Sequence, residues 1–204
     1  TLNNIKWMAY IRNDRPVGQM LSRMSNLMEA SIGRGGSLIT LREEIAYIED
    51  YITLMKIKYN EKLSIHYDIP EPLLNVEVIK FMLQPVIENS IHHGIEPLKG
   101  QGEIFVWAER EHEVLKIVVR DNGVGMEEER LREIEAWLAD DSGSRLSQRI
   151  GVKNVHDRIR LQYGDYYGLT IRSGPNRGTT VEYRLPIKQL EEGEDYGIKN
   201  IARG

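Results

Sequence analysis

The sequence predicts an α+β protein, a helical N-terminal segment followed by a sandwich of helices on one face of a sheet. Three observations carry this. Residues 1 to about 58 space their apolar positions as helices do, and from about residue 61 the spacing changes to strand alternation. Beyond that point strands arrive in adjacent runs, with helical stretches between the runs.

LNNIKWMAYI places Leu2, Ile5 and Met8 or Ala9 at helical spacing. Asn13 to Pro16 interrupt it, and Pro16 can open the next helix, GQMLSRMSNLMEASI. GRGG at 33–36 reads as a loop. LITLREEIAYIEDYITLMKIKY follows, with Leu41, Ile45, Ile48, Ile52 and Met55 on one stripe and Thr40 with Glu43 as a capping box. Such helices need an apolar partner, which a second copy can supply as a bundle. KLSIHYDI alternates as a strand, and a loop surrounds Glu71 and Pro72. Residues 76–94 read as one helix, with Pro85 as a kink or a first-turn residue. GEIFVWAERE and EVLKIVVRD read as antiparallel neighbours, EEERLREIEAWLADD as an acidic helix and SGSRLSQR as a loop. GVKNVHDRIRLQYG is a helix presenting Val152, Val155, Ile159 and Tyr163. YGLTIRSG and TTVEYRLPI are strands joined by GPNRG. The boundaries expected are 1–60, 61–187 and a loose charged tail, 188–204.

A formal charge of −4 argues against a general nucleic-acid binder. No cysteine is present, which removes disulfides, thiol nucleophiles and thiolate zinc sites. No run of about 18 apolar residues is available to span a membrane, and no secretory signal is visible. A chain beginning at Thr1 is expected to be part of a longer protein.

The chemistry concentrates in a few stretches. VIENSIHHGI puts Glu88, Asn89, His92 and His93 on a helix within an apolar region, so a polar partner is expected to face them. Glu88 with His92, and Asn89 with His93, stand at i, i+4. The Asn carbonyl suits a hard cation such as Mg²⁺, and Glu88 suits acid–base work; a capped polar helix end is the plain alternative. DNGVGM follows a strand. Asn-Gly alone is a turn signal, but Asp121 at the strand end wants a donor, and a purine exocyclic amine is one. Gly123 and Gly125 would then let backbone approach a ligand. Gly151 opens a helix, whose amino terminus suits an anion. Arg145, Arg149, Lys153, Arg158 and Arg160 surround it as a polyphosphate would require, or simply form a solvated basic face. GTT, with Gly178 and Thr179, opens the final strand.

Familiar motifs are absent. There is no GxxxxGK[ST], and GxGxxG fails at Glu128. HRD, DFG and HExxH do not occur. His92 and His93 are adjacent and point apart on a helix, so they form no shared zinc face.

Taken in order, ENSIHHG, DNGVGM, RIGVKNV and GTTVEYRLP resemble the N box and three glycine boxes of the GHKL (Bergerat-fold) ATPases, over residues 76–187. TLNNIKWMA, TLREEIAYIEDYITLMKIKY, MLQPVIENSIHHGI, IGVKNVHDRI and YGLTIRS resemble the YesM/LytS-type sensor histidine kinases of bacterial two-component systems. The resemblance implies a mixed, mainly antiparallel sheet and a helical dimerisation and phosphotransfer segment. It implies Asp121 receiving the adenine amine with water and Thr179, Asn89 holding Mg²⁺, and Glu88 polarising or deprotonating the accepting imidazole. His92, His93, Gly123, Gly125, Met126, Arg149, Ile150, Gly151 and Gly178 complete the implied ATP site, with 126–149 as a mobile lid. The implied activity is protein-histidine kinase, passing phosphate to an aspartate of a response regulator, in a homodimer anchored to the bacterial membrane and working on its cytoplasmic side.

Two departures stand out. In the family the phosphoacceptor histidine precedes the TLN stretch, and none of His66, His92, His93, His112 or His156 lies in that motif. The chain is therefore expected to bind ATP without phosphorylating itself at the usual place. Arg149 stands where glycine is usual, either contacting phosphate or weakening binding. Rival readings are an ATP-hydrolysing GHKL enzyme of the gyrase or chaperone type, and a dimerisation or docking module with a degenerate site.

Overall fold

The computed structural model describes residues 37–58, 62–140 and 150–187, together with Leu21. The helices expected over 1–36, the bundle they would form, Arg145, Arg149 and the tail from 188 lie outside the described residues.

Strand β1 (Leu38–Thr40) runs straight into helix α1 (Leu41–Lys58). The expected capping box forms: the Glu43 amide donates to Thr40 Oγ1 at 3.2 Å, and the Thr40 amide donates back to Glu43 Oε2 at 2.8 Å. Leu41, Ile48 and Ile52 are buried along α1, with Ile45 and Met55 packed beside them, as their spacing requires.

Strands β2 (Leu63–Asp68), β4 (Gly102–Glu111), β5 (Val114–Asp121), β6 (Gly168–Ser173) and β7 (Thr179–Pro186) form one sheet in the order β2-β4-β5-β7-β6. β2 is parallel to β4, and every other pairing is antiparallel. Period-two alternation sets the faces. Ile104, Val106 and Ala108 of β4 point into the core, while Phe105 between them is exposed. The hairpins turn where side-chain-bearing residues adopt left-handed backbone, at His112 (φ 58°) and Asn176 (φ 57°).

Helices α3 (Glu128–Ala139) and α4 (Ile150–Tyr163) join α1 in covering the sheet. Leu138, Val155 and Ile159 are buried against Ile117, Val119, Val181 and Tyr183. Truncating a fully enclosed side chain such as Ile117 to alanine would cost about 2–5 kcal/mol.

The single helix expected over 76–94 is not what forms. Residues Glu77–Ile79 are a short strand, β3, antiparallel to β1. The chain then turns through Phe81 (φ 57°), and helix α2 begins only at Gln84 and runs to Asn89. Pro85 sits in the first turn, where its missing N–H is not required. Ser90–Ile95 then winds as a π-helix, closed by the Glu96 amide on the Ile91 carbonyl at 2.8 Å. The segment from β2 to β4 is thus a parallel crossover that carries the π-helix over the end of β5.

Candidate functional site

Asp121 ends β5 and is 2% exposed. Its Oδ1 accepts the Gly123 amide at 2.9 Å and the Thr179 amide at 3.1 Å, and the Ser90 hydroxyl also bonds the carboxylate. Burial pushes its pKa above the ordinary value; those donors and the Arg120 charge pull against it. A carboxylate offers about four acceptor positions, so three donors leave it able to take one more.

Asn122 locks the following turn. Its Oδ1 accepts the Glu103 amide at 2.8 Å, and its Nδ2 donates to the Gln101 carbonyl at 3.1 Å. The glycines let protein backbone come close. A Cβ on Gly123 would lie 2.4 Å from the Gly94 backbone, and the Val124 amide donates to the Gly94 carbonyl at 2.9 Å. At Gly125 (φ 68°) a Cβ would strike the Gly174 carbonyl oxygen, and at Gly178 (φ 72°) that of Asp121, at 2.0 and 1.9 Å. What approaches these glycines is protein backbone, which docks the π-helix and the β6–β7 turn against the Asp121 turn.

Ser90 and Gly94 were missing from the sequence reading. Both lie inside ENSIHHG: Ser90 is buried against the carboxylate, and a Cβ on Gly94 would stand 3.0 Å from Asp121 Oδ1. A small residue at each position was the available signal. Asn89 is Ser90's neighbour in the chain and is exposed, with no side-chain hydrogen bond among the described residues. Ser90, the residue that follows Glu88 and Asn89 in the chain, is the one through which this segment reaches the Asp121 carboxylate.

The expected i, i+4 pairs do not form. Glu88 Oε1 instead accepts from Gln84 Nε2 at 2.8 Å, and His92 Nδ1 meets Glu96 Oε2 at 3.1 Å. Each of the two thus takes a different neighbour four residues away, Gln84 before Glu88 and Glu96 after His92. His93 is exposed.

The described part of the basic cluster is committed to holding the fold. Lys153 Nζ donates to the carbonyls of Leu138 (3.1 Å) and Asp140 (2.9 Å) and to Asp157 (2.8 Å), capping the C-terminus of α3. Arg158 donates to the Lys80 carbonyl at 3.1 Å, and Arg160 pairs with Asp165 at 2.8 Å. Gly151 serves packing, since a Cβ there would stand 3.0 Å from the Pro85 side chain. Ile150 is the first residue of α4. The expected lid opens with a docked element: Met126, Leu131 and Ile134 pack on the core and Leu138 is buried. Thr179 presents its amide to Asp121 and its hydroxyl to Ser173 Oγ at 3.1 Å.

A mixed five-stranded sheet with helices on one face, and a crossover helix laid over a strand-end carboxylate, defines the class: this is the fold of histidine-kinase catalytic domains. The histidine kinase domain from the Erythrobacter litoralis EL346 blue-light activated histidine kinase matches it with a TM-score of 0.52 at 18% identity, covering 88% of this chain and 85% of that one. Histidine kinase ThkA, solved in complex with response regulator protein TrrA, matches at TM-score 0.51 and 17% identity, over 90% of this chain and 51% of that one.

Sequence makes the assignment particular. Residues 75–189 match the histidine kinase-, DNA gyrase B-, and HSP90-like ATPase family, and the chain belongs to it; residues 1–63 match the histidine kinase family. Sensor histidine kinase YesM of Bacillus subtilis is 29% identical over 92% of this chain. The chain spans 31% of that relative's length. No helix among the described residues is long and apolar enough to cross a membrane.

Proposed function

We propose that this chain is the catalytic portion of a two-component sensor histidine kinase, binding Mg·ATP and directing the γ-phosphoryl group to a histidine nitrogen for relay to a response-regulator aspartate. The observation that carries the reading is the buried Asp121 carboxylate, held by Gly123, Thr179 and Ser90 with acceptor capacity to spare. An adenine exocyclic amine supplies the missing donor. The Asn89 amide, exposed one residue from Ser90, fits an oxygen-ligand role toward a phosphate-bound cation. Mg²⁺, when bound, neutralises charge on the phosphates as the transfer proceeds.

In the transfer the imidazole nitrogen attacks the γ-phosphorus, a P–N bond forms, the β–γ bridging P–O bond breaks and ADP leaves. Glu88 receives the imidazole N–H proton, with Gln84 orienting its carboxylate through the 2.8 Å hydrogen bond. By the family resemblance His92, His93, Met126, Arg149, Ile150 and Gly151 belong to the same ATP site, and Gly123, Gly125 and Gly178 hold its frame.

The domain division is 1–60 for dimerisation and phosphotransfer, 61–187 for nucleotide binding and 188–204 as a tail. The functional protein is a homodimer through the N-terminal helices, membrane-anchored by segments outside this chain and acting on the cytoplasmic side. A response regulator as partner is supported by the ThkA–TrrA complex.

Titration with a fluorescent ATP analogue, with and without Mg²⁺, tests the reading. Saturable, Mg²⁺-dependent binding that Asp121→Asn weakens is expected, as is acid-labile phosphate on a histidine-bearing acceptor helix supplied in trans. Absence of binding overturns it. Rapid ATP turnover without any acceptor assigns the chain to hydrolysis instead.

A further inference from the structure

Among the described residues three polar side chains are buried. Ser90 and Asp121 belong to the site above; the third, Glu44, does not. It lies in the first turn of α1 at 0% exposure, and its carboxylate faces the turn that leads into α2. Oε2 accepts the Phe81 amide at 2.8 Å and Oε1 the Leu83 amide at 2.9 Å, while the Met82 amide adds a third bond. Three consecutive backbone donors thus converge on one carboxylate.

The same turn is gripped from two other directions. Tyr183 of β7 donates its hydroxyl to the Met82 carbonyl at 3.0 Å, and Arg158 of α4 donates to the Lys80 carbonyl at 3.1 Å. Leu83 is where the turn becomes helix: its carbonyl accepts the amides of Val86 and Ile87, each at 3.1 Å. The residue that rests on Glu44 through its N–H therefore starts the helix bearing Glu88 and Asn89 through its C=O. The start of α1 is also stitched to this segment, by Leu41 N–H on the Val76 carbonyl at 2.9 Å and Lys80 N–H on the Ser37 carbonyl at 3.0 Å.

Burial alone would place a leucine here more cheaply, because an enclosed carboxylate is tolerated only when its hydrogen bonds are made. The burial pushes its pKa upward against those bonds and the Arg158 charge. What the carboxylate provides, and an apolar side chain cannot, is a fixed arrangement of three amides in a turn whose Phe81 has left-handed backbone.

We propose that Glu44 is a positioning residue for the nucleotide site: through the Phe81–Leu83 turn it sets the origin and direction of the helix carrying Glu88 and Asn89, so that α1 and the phosphate-binding side chains move as one unit. This rests on the nucleotide reading of the preceding section, and the test separates the two.

Glu44→Gln keeps the shape and loses the charge; Ile48→Val, on the same helix, is the packing control. Amide exchange is followed without nucleotide, and ATP-analogue affinity and melting temperature are measured in parallel. Glu44→Gln is expected to speed exchange selectively over 81–89 and to weaken analogue binding roughly tenfold, as loss of hydrogen bonds to a charged group implies. Glu44→Asp should restore part of both, and Ile48→Val should lower melting without moving either. Uniform exchange changes, or unaltered affinity in folded Glu44→Gln, overturns the proposal. If Glu44→Gln does not fold, Arg158→Met loosens the same turn from its other side; unchanged exchange over 81–89 then overturns it. If the parent chain binds no analogue, the nucleotide reading fails, and local exchange still decides whether Glu44 positions this helix.

Discussion

The Thr179 amide donates to Asp121 Oδ1 at 3.1 Å across 58 residues of sequence, tying the first residue of β7 to the last residue of β5. That bond aims the carboxylate. Asp121→Asn keeps the side chain's shape and removes its charge. Hydrogen bonds to charged groups are worth about 1.5–3 kcal/mol, so calorimetric titration should show analogue affinity falling roughly 10- to 100-fold. Equal affinity in a folded variant would move the adenine elsewhere.

Acidification should act on the same group. A protonated Asp121 exchanges an acceptor position for a donor, so nucleotide affinity should fall as pH drops through its raised pKa, and the Asp121→Asn profile should be flat in that range. The stability effect has the opposite sign. A carboxyl whose folded-state pKa lies above its unfolded value contributes stability that is full below the unfolded value and lost as pH rises through the folded one. Glu44, also raised, behaves alike. Melting curves of Asp121→Asn and Glu44→Gln should therefore gain on the parent as pH rises across that window.

Asn89→Ala separates binding from folding. The side chain is exposed and unpaired among the described residues, so its removal should leave stability within about 0.5 kcal/mol. Mg²⁺-dependent analogue binding should be lost. A large fall in melting temperature would mean the amide serves the fold.

Glycine substitutions should sort by neighbour. Gly178→Ala sets a Cβ 1.9 Å from the Asp121 carbonyl oxygen at φ 72°, and should cost about 2 kcal/mol or more in denaturant unfolding. Gly164→Ala shares the positive φ, at 96°, but meets nothing within 4 Å, and should cost only the backbone preference of about 1–2 kcal/mol. Similar costs at the two positions would mean that the Asp121 turn yields easily.

Lys153→Met removes three hydrogen bonds from a side chain that is 14% exposed. Fraying of the α3 C-terminus should follow, read as faster amide exchange near Leu138 and a stability loss of about 1–3 kcal/mol.

What the sequence disclosed, and what it withheld, follows from the range of the forces involved. Ile104, Val106 and Ala108 alternate, and Thr40 precedes Glu43 at capping distance; both are local patterns that survive in the written sequence. Strands β1 and β3 have three residues each, too few for a period to register, and what defines them is pairing between residues 37 to 41 apart. Asp121 was visible because its strand ended in a charge. Glu44 was hidden among the acidic residues of α1, since only a turn some 40 residues onward distinguishes it from Glu43. The sequence left Lys153 open between a phosphate neighbour and a solvated basic face because charge can be read along a chain, whereas the carbonyls it holds cannot.

Because β2 pairs in parallel with β4, the stretch between them must arch over the sheet before the edge strand can seat. Cleavage just ahead of Gly102 would therefore leave a product lacking an outer strand and one wall of its cleft together. Proteolysis in the 96–101 loop, followed by mass spectrometry of what stays associated, would reveal whether that arch clings to the remaining body once its covalent tether is gone.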